Sequence, residues 1–405
     1  MKIILVTDEY NLGGSPNAKR MRAFAEELLS KGHRVLVITS SEHKKSWQQN
    51  GRAERVLFSL TVPLTKKTIL RRALHQLSFG LSAFISALFV SKPDVVVCTS
   101  PPALASIFGL FIAKAKRALL VYDVRDIWPD VAVEMDSIKE DGIYYRLFSW
   151  IKNRMLNASA IVTTVSKGKA SKLRNSLSGN SDDRSDKVHL IANGFDCSYS
   201  NTVFNEAVIR KYKMADKINI VYVGNIGYAQ NLDAYLDLAK AFQNEERPYQ
   251  FLLFGDGAER ERLESRIAEE RITNVAFHGR ISYEDVYSVL RAAHVSFVSL
   301  KNDKLTDSIP TKIYDSFGVG CPVFLVASGD AEELIDVTGF GYKMPVSNLA
   351  SIADAFQDMM DNYEEILGNR DKAIKLMHTT YSRQNSARLF ERLIRVSFEE
   401  LSSRS

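Results

Sequence analysis

The stretch best equipped for chemistry follows Leu300-Lys301: a polar loop to Ile309, then Pro310-Thr311-Lys312-Ile313-Tyr314-Asp315-Ser316-Phe317-Gly318-Val319-Gly320-Cys321-Pro322-Val323. Pro310 suits the first position of a helix, where its missing N–H costs nothing, so the amides of Thr311 and Lys312 should stand free at the helix start. Free amides and the positive end of the helix dipole bind phosphate, and the Lys312 ammonium adds a mobile charge beside them. Asp307 and Asp315 lie eight positions apart, one in the loop and one just inside the helix, and can line opposite walls of one cleft. Each carboxylate can accept two sugar or ribose hydroxyls. An N-capping loop before a core helix, with its Asp and Lys merely solvated, is the alternative this stretch leaves open. The helix should end at Gly318 or Gly320, and residues 322–325 read as a buried strand.

A second cluster, Asp123-Val124-Arg125-Asp126-Ile127-Trp128-Pro129-Asp130, follows an apolar run at residues 119–123. Three carboxylates, a guanidinium and an indole at a strand's carboxyl end suit sugar binding or chemistry; a salt bridge that fixes a loop is the competing account. Near the N-terminus, Gly13-Gly14 lets backbone approach a phosphate or sugar closely. Its spacing matches neither G-x-G-x-x-G nor the Walker loop, which disfavours NAD and ATP. His33, in Gly32-His33, reads as a helix-ending turn residue. No Asp-x-Asp suggests a divalent metal, and no Ser-His-Asp order with an elbow suggests hydrolysis.

These strings, 122–130 and 307–323 above all, resemble retaining glycosyltransferases of family four, which have the GT-B fold; the resemblance runs through nearly the whole chain. The family's two glutamates, with seven residues between them, are here Asp307 and Asp315, and Gly320-Cys321-Pro322-Val323 is similar to its G-x-P-V strand entry. The string at 123–129 resembles the bacterial surface-polysaccharide subgroup of the WbuB type. Where many members carry a histidine, Arg125 stands, which stays charged and cannot shuttle a proton. The resemblance therefore implies Asp126, Arg125 and Asp307 at the reacting centre, with Asp126 and Asp307 on the transferred sugar. It implies the diphosphate at Thr311 and Lys312, the ribose on Asp315, and further donor contacts from Gly13, Gly14, Asn225, Gln230 and Arg280. Asn225 and Gln230 occupy places where the family supplies Arg and Lys, so more charge must come from Lys312, Arg280 or helix N-termini. What is implied is metal-independent, retaining transfer from a UDP-linked sugar to an undecaprenyl-diphosphate glycan. A GT-B nucleotide-sugar 2-epimerase and a non-catalytic membrane scaffold are the rivals.

The elements that must hold these residues can be read from periodicity. Short β-branched runs at residues 2–7, 34–39, 56–60, 94–98, 119–123, 160–165 and 188–191 alternate with helix-length segments. The pattern restarts at 218–223, 250–254, 275–277, 295–299 and 322–325. This predicts an α/β chain of two Rossmann-like domains with parallel sheets, whose carboxyl ends face a shared crevice. The N-terminal, acceptor- and membrane-facing domain would span 1–195 and the nucleotide-sugar domain 196–382. A last helix over 383–401 would return to the first domain.

The balance of 53 Lys and Arg against 48 Asp and Glu is too mild for a nucleic-acid partner by charge alone. Three scattered cysteines suggest neither disulfides nor zinc and point to the cytosol. The chain opens on a strand without a signal-peptide pattern, and its longest apolar run, about 14 residues from 77 to 90, is too short to span a bilayer. Lys66, Lys67, Arg71 and Arg72 sit at the start of a helix on which Leu70, Leu74, Leu77, Leu81, Phe84 and Leu88 share a face. Cations there oppose the helix dipole, so attraction to anionic headgroups is the better account, with peripheral attachment to the inner membrane face. A core helix with a solvated basic entry is the alternative.

Overall fold

Apolar runs without polar alternation should be strands covered on both faces, and both sheets are built this way. The computed structural model describes residues 1–10, 15–46, 54–64, 68–178, 185–199 and 204–404. It divides into two units, Met1–Ala192 with Arg383–Ser405, and Asn193–Ser382.

In the first unit, β1 (Lys2–Val6), β2 (Arg34–Ser40), β3 (Arg55–Ser59), β4 (Val95–Ser100), β5 (Leu119–Val124), β6 (Ile161–Thr164) and β7 (Val188–Leu190) form a parallel sheet ordered β3-β2-β1-β4-β5-β6-β7. Successive residues of a strand point to opposite faces. Ile3, Leu5, Val95 and Val97 pack under α1 (Pro16–Ser30) and the last helix, α16 (Arg383–Arg404), through Phe24, Leu28, Phe390 and Ile394. Ile4, Val6, Val96 and Cys98 pack under α2 (Ile69–Leu88), α3 (Ala103–Lys116) and α5 (Ile143–Ala158). The short α4 (Asp130–Glu134) and α6 (Lys167–Leu177) follow β5 and β6.

The second unit carries β8 (Ile218–Val223), β9 (Tyr249–Phe254), β10 (Val275–Phe277), β11 (Val295–Ser299), β12 (Val323–Val326) and β13 (Gly341–Met344), parallel and ordered β10-β9-β8-β11-β12-β13. Its helices are α7 (Ala207–Lys211), α8 (Leu232–Ala241), α9 (Arg260–Glu270), α10 (Tyr283–Ala292), α11 (Thr311–Gly318), α12 (Asp330–Thr338), α13 (Ile352–Asp361), α14 (Tyr363–Gly368) and α15 (Arg370–Thr379). The edge strand β13 was not expected from the sequence; its four residues, Gly-Tyr-Lys-Met, give too short and polar a run to register.

Strand order reverses at β1/β4 in one sheet and at β8/β11 in the other. In open α/β sheets the carboxyl ends at such a reversal are where ligands bind.

Candidate functional site

At the β8/β11 reversal the backbone turns through Gly224, whose φ of +147° suits glycine. Gly255, at the end of β9, lies so close that a Cβ there would fall 1.8 Å from the Gly224 carbonyl oxygen. The two loops therefore touch backbone to backbone. The Gly224 amide donates to the Phe254 carbonyl at 2.9 Å, and the Tyr222 hydroxyl donates to the Asn225 carbonyl at 2.5 Å, which closes the loop.

Beside it starts α11. Pro310 is its cap rather than its first helical residue, because its ψ of 125° is extended. The correction of one place leaves the expectation for the next two residues intact. The first amide that finds an acceptor is that of Ile313, on the Pro310 carbonyl at 3.1 Å; those of Thr311 and Lys312 have none among the described residues. Lys312 folds back so that Nζ sits 3.9 Å from the centroid of the Tyr222 ring, with Gly224 directly beneath; a Cβ on Gly224 would lie 3.2 Å from Nζ. Among the described residues no carboxylate pairs with it. The ring face attracts the cation, yet desolvation of the ammonium wins and draws its pKa down to about 7. An uncompensated cation, two free amides and a helix dipole thus converge at one strand end.

The loop that delivers α11 is tied down by Asp303, which accepts from the Val346 and Ser347 amides at 2.9 and 2.7 Å and from the Ser328 hydroxyl at 2.7 Å. Desolvation opposes that charge, but these bonds hold its carboxyl below the usual range. Asp307, expected on a cleft wall, is buried at 4% exposure in the same loop. Asp315 is half-buried and accepts from the Tyr287 hydroxyl at 3.2 Å. Asn225 and Gln230 flank Gly227, and the Gln230 side-chain oxygen is buried with no partner among the described residues. Arg280 is exposed, 4.0 Å from Asp256. Tyr222, Tyr287 and Asp303 were not foreseen; each reaches its partner from another element, and spacing carries no trace of that.

In the first unit the cluster after β5 is largely closed on itself. Asp123 is fully buried and receives Arg20 of α1, with Nη2 at 2.9 Å and Nε at 3.1 Å, and the Thr163 hydroxyl at 2.6 Å. Arg125 donates to the Thr99 hydroxyl at 3.1 Å and to the Pro101 carbonyl. It fixes the loop after β4, but not through the carboxylate bridge weighed from sequence. Asp126 keeps 44% of its side chain exposed, with the buried Lys169 ammonium 3.9 Å away. Lys169 sits in the first turn of α6 above the capping hydroxyl of Ser166. Neither Arg20 nor Lys169 was foreseen.

A third polar group joins the end of β1 to α2. His75 is buried and directs Nε2 to the Asp8 carboxylate at 3.1 Å and Nδ1 to the Val62 carbonyl at 2.8 Å. Desolvation alone would lower its pKa, but the bond and charge of Asp8, then Val62 and Glu42, push it up to about 9. Gly13, Gly14, Lys66 and Lys67 lie outside the described residues. Arg71 donates to the Pro63 carbonyl at 3.0 Å and Arg72 is exposed, both in the first turn of α2. His33 does close the turn after α1, and it also bonds Glu391 of α16 at 3.2 Å.

Two family models match this chain in succession, "Glycosyl transferase 4-like domain" over residues 18–194 and "Glycosyl transferases group 1" over residues 205–375. The chain belongs to the GT-B glycosyltransferases of family four. This glycosyltransferase is 23% identical over 353 residues to the colanic acid biosynthesis glycosyl transferase WcaI of Escherichia coli strain K12, covering 82% of this chain and 84% of the relative. Among solved structures it resembles sucrose-phosphate synthase from Thermosynechococcus elongatus, with a TM-score of 0.79 at 16% identity over the full length of both chains. It also resembles Anabaena HepE in complex with UDP and glucose, at 0.73 and 15%, again over both full lengths. At these identities the likeness concerns the fold.

Proposed function

We propose that this glycosyltransferase takes its sugar from a UDP-linked donor and transfers it with retention, without a metal, to a lipid-diphosphate glycan of bacterial surface polysaccharide. The observation that carries the donor site is Lys312, a cation without a carboxylate at a helix start with two free amides. A diphosphate would supply the missing counter-charge and accept from the Thr311 and Lys312 amides. Asp315, steadied by Tyr287, would hold the ribose, with Asp307 and Asp126 on the transferred sugar. Arg280, Asn225, Gln230, Gly13 and Gly14 would complete the donor contacts, and Arg125 would position the loop around Asp126.

In the reaction the bond between the anomeric carbon and the phosphate oxygen breaks as the acceptor oxygen attacks from the same face. The acceptor proton passes to the departing phosphate oxygen. The protein contributes position and charge stabilisation, for which Lys312 and the free amides are suited, and it needs no separate base.

Related proteins make the ligands concrete. HepE was crystallised with UDP-glucose, and Staphylococcus aureus TarM with UDP and alpha-GlcNAc-glycerol, which suits an N-acetylamino sugar here. WcaI is named for colanic acid biosynthesis and WaaG for lipopolysaccharide biosynthesis. Attachment to the inner membrane face through Arg71, Arg72, Lys66 and Lys67 would bring the enzyme to such an acceptor; among the described residues no helix is long and apolar enough to cross a membrane.

A panel of UDP-, GDP- and dTDP-sugars, read by thermal stabilisation, tests the donor. A ligand at a hundred times its Kd should add about 2.7 kcal/mol. Stabilisation of Lys312→Met equal to that of the wild type would place the diphosphate elsewhere and overturn the reading.

A further inference from the structure

The leucine stripe of α2 does not face the core. Leu70, at 71% exposure, Leu74, Leu77, Leu81 and Leu88 all point to solvent, and the buried stripe is His75, Phe79, Ala83 and Ala87. Helix packing is close at one point: a Cβ on Gly80 would lie 2.2 Å from the Phe108 ring of α3, so no larger residue fits there. The leucines are turned outward, where a core helix would not put them.

The exposed stripe continues over its neighbours. Phe84 of α2 meets Phe111 of α3 edge to face at 6.3 Å, and Phe111 is itself exposed. On α5, which packs against α3 over the same core, Ile143 is 78% exposed, Leu147 46% and Trp150 57%. Patches of this kind on a soluble surface mark an interaction site.

Charge says what covers it. The 20, 14 and 16 residues of α2, α3 and α5 contain no Asp or Glu. Their charges are Arg71 and Arg72, Lys114 and Lys116, and Arg146, Lys152 and Arg154; Lys152 is taken up by Asp130 at 2.8 Å and Lys116 by the Leu88 and Val90 carbonyls, which leaves Arg72, Lys114, Arg146 and Arg154 exposed. Glu140 and Asp141 stand outside, in the turn before α5. On the opposite face of the sheet, α1 and α16 carry Glu26, Glu27, Glu391, Glu399 and Glu400 among their basic residues, as a solvated layer does.

We infer that α2, α3 and α5 together form a platform that inserts its apolar side chains into the interface of an anionic bilayer. The inference rests on the reading of a lipid-linked acceptor and extends it: attachment is by insertion across three helices, with cations at headgroup level, not by electrostatic attraction to one helix start. Leucines reach the acyl boundary, Trp150 sits at the depth favoured by indole, and Arg72, Lys114, Arg146 and Arg154 extend toward phosphate.

Co-sedimentation with vesicles of phosphatidylglycerol and phosphatidylcholine tests it. The wild type should bind, retaining part of its binding at a salt concentration that screens surface charge. The double variant Leu74→Ser with Leu81→Ser should bind at least fivefold less while keeping its thermal response to UDP. Tryptophan emission should shift to the blue on adding vesicles, and Trp150→Phe should remove that shift. Undiminished binding by the serine variant, or complete loss of wild-type binding at high salt, overturns insertion. A lipid-free dimer that the serine variant dissolves would assign the face to a second copy and also overturn it. Vesicle binding without sugar transfer to a lipid-diphosphate glycan would instead count against the acceptor reading, so the two failures are distinguishable.

Discussion

Asp123 and Lys312 occupy comparable places, each beside the carboxyl end of a parallel strand and each largely withdrawn from water, yet they are treated in opposite ways. Asp123 is answered from within by a two-point guanidinium contact and a hydroxyl. Among the described residues Lys312 receives only an aromatic face, and it pays in acidity. A buried charge that the chain neutralises is a fixture of the fold. One that it leaves wanting is, on the function proposed above, the place for an anion brought from outside. The same test separates Asp126, whose carboxylate remains half in solvent, from Arg125, whose guanidinium is engaged with Thr99 and Pro101.

The contrast can be broken by substitution. Arg20→Met strands the Asp123 carboxylate and should destabilise the protein by about 3–5 kcal/mol in urea unfolding. Lys312→Met removes a charge with no partner, so stability should hold within about 1 kcal/mol or rise, while sugar transfer falls about 10²–10³-fold. If the two variants lost stability equally, the distinction between them would collapse. Gly224→Ala places a methyl against Lys312 at a φ that alanine resists and should weaken UDP binding by roughly 1–3 kcal/mol, measured by calorimetry.

Acidity sharpens the comparison further. UDP should favour the charged form of Lys312, so above pH 7 binding should take up a proton, and affinity should fall by as much as about tenfold per pH unit; Lys312→Arg should flatten that dependence. Without ligand, the lowered pKa is a penalty on the folded state that is full below pH 7 and relieved as pH rises toward 10.5. His75 acts with the opposite sign. Its raised pKa gives stability that is complete below pH 6.5 and lost as pH climbs through about 9. Between pH 7 and 9 the two partly cancel, and unfolding of His75→Gln against Lys312→Met across that window should give slopes that deviate from the wild type in opposite directions.

The sheets were legible because central parallel strands, covered on both faces, spell themselves out as apolar runs; only β13, four residues at an edge, escaped. The start of α11 was legible because capping is local: Pro310, two amides and a lysine are neighbours in the chain, and the correction amounts to one position. What holds the site was not. Tyr287 reaches Asp315 across 28 residues and Arg20 reaches Asp123 across 103, and no spacing rule connects them. On α2 the period was right while the side was open, because the leucine stripe and the stripe of His75, Phe79, Ala83 and Ala87 both fit a helix. The tight approach of Phe108 to Gly80 decided between them.

The return of α16 to the first unit has a consequence for biosynthesis. Phe390 stacks on Phe24 with ring centroids 3.9 Å apart, and with Ala387 and Ile394 it completes the core over β1 and β4. The ribosome makes these residues only after all of Asn193–Ser382. The first sheet to be synthesised therefore waits, with one flank bare, until the second unit has been made and α16 has emerged, and a nascent chain halted anywhere earlier would offer that flank to chaperones.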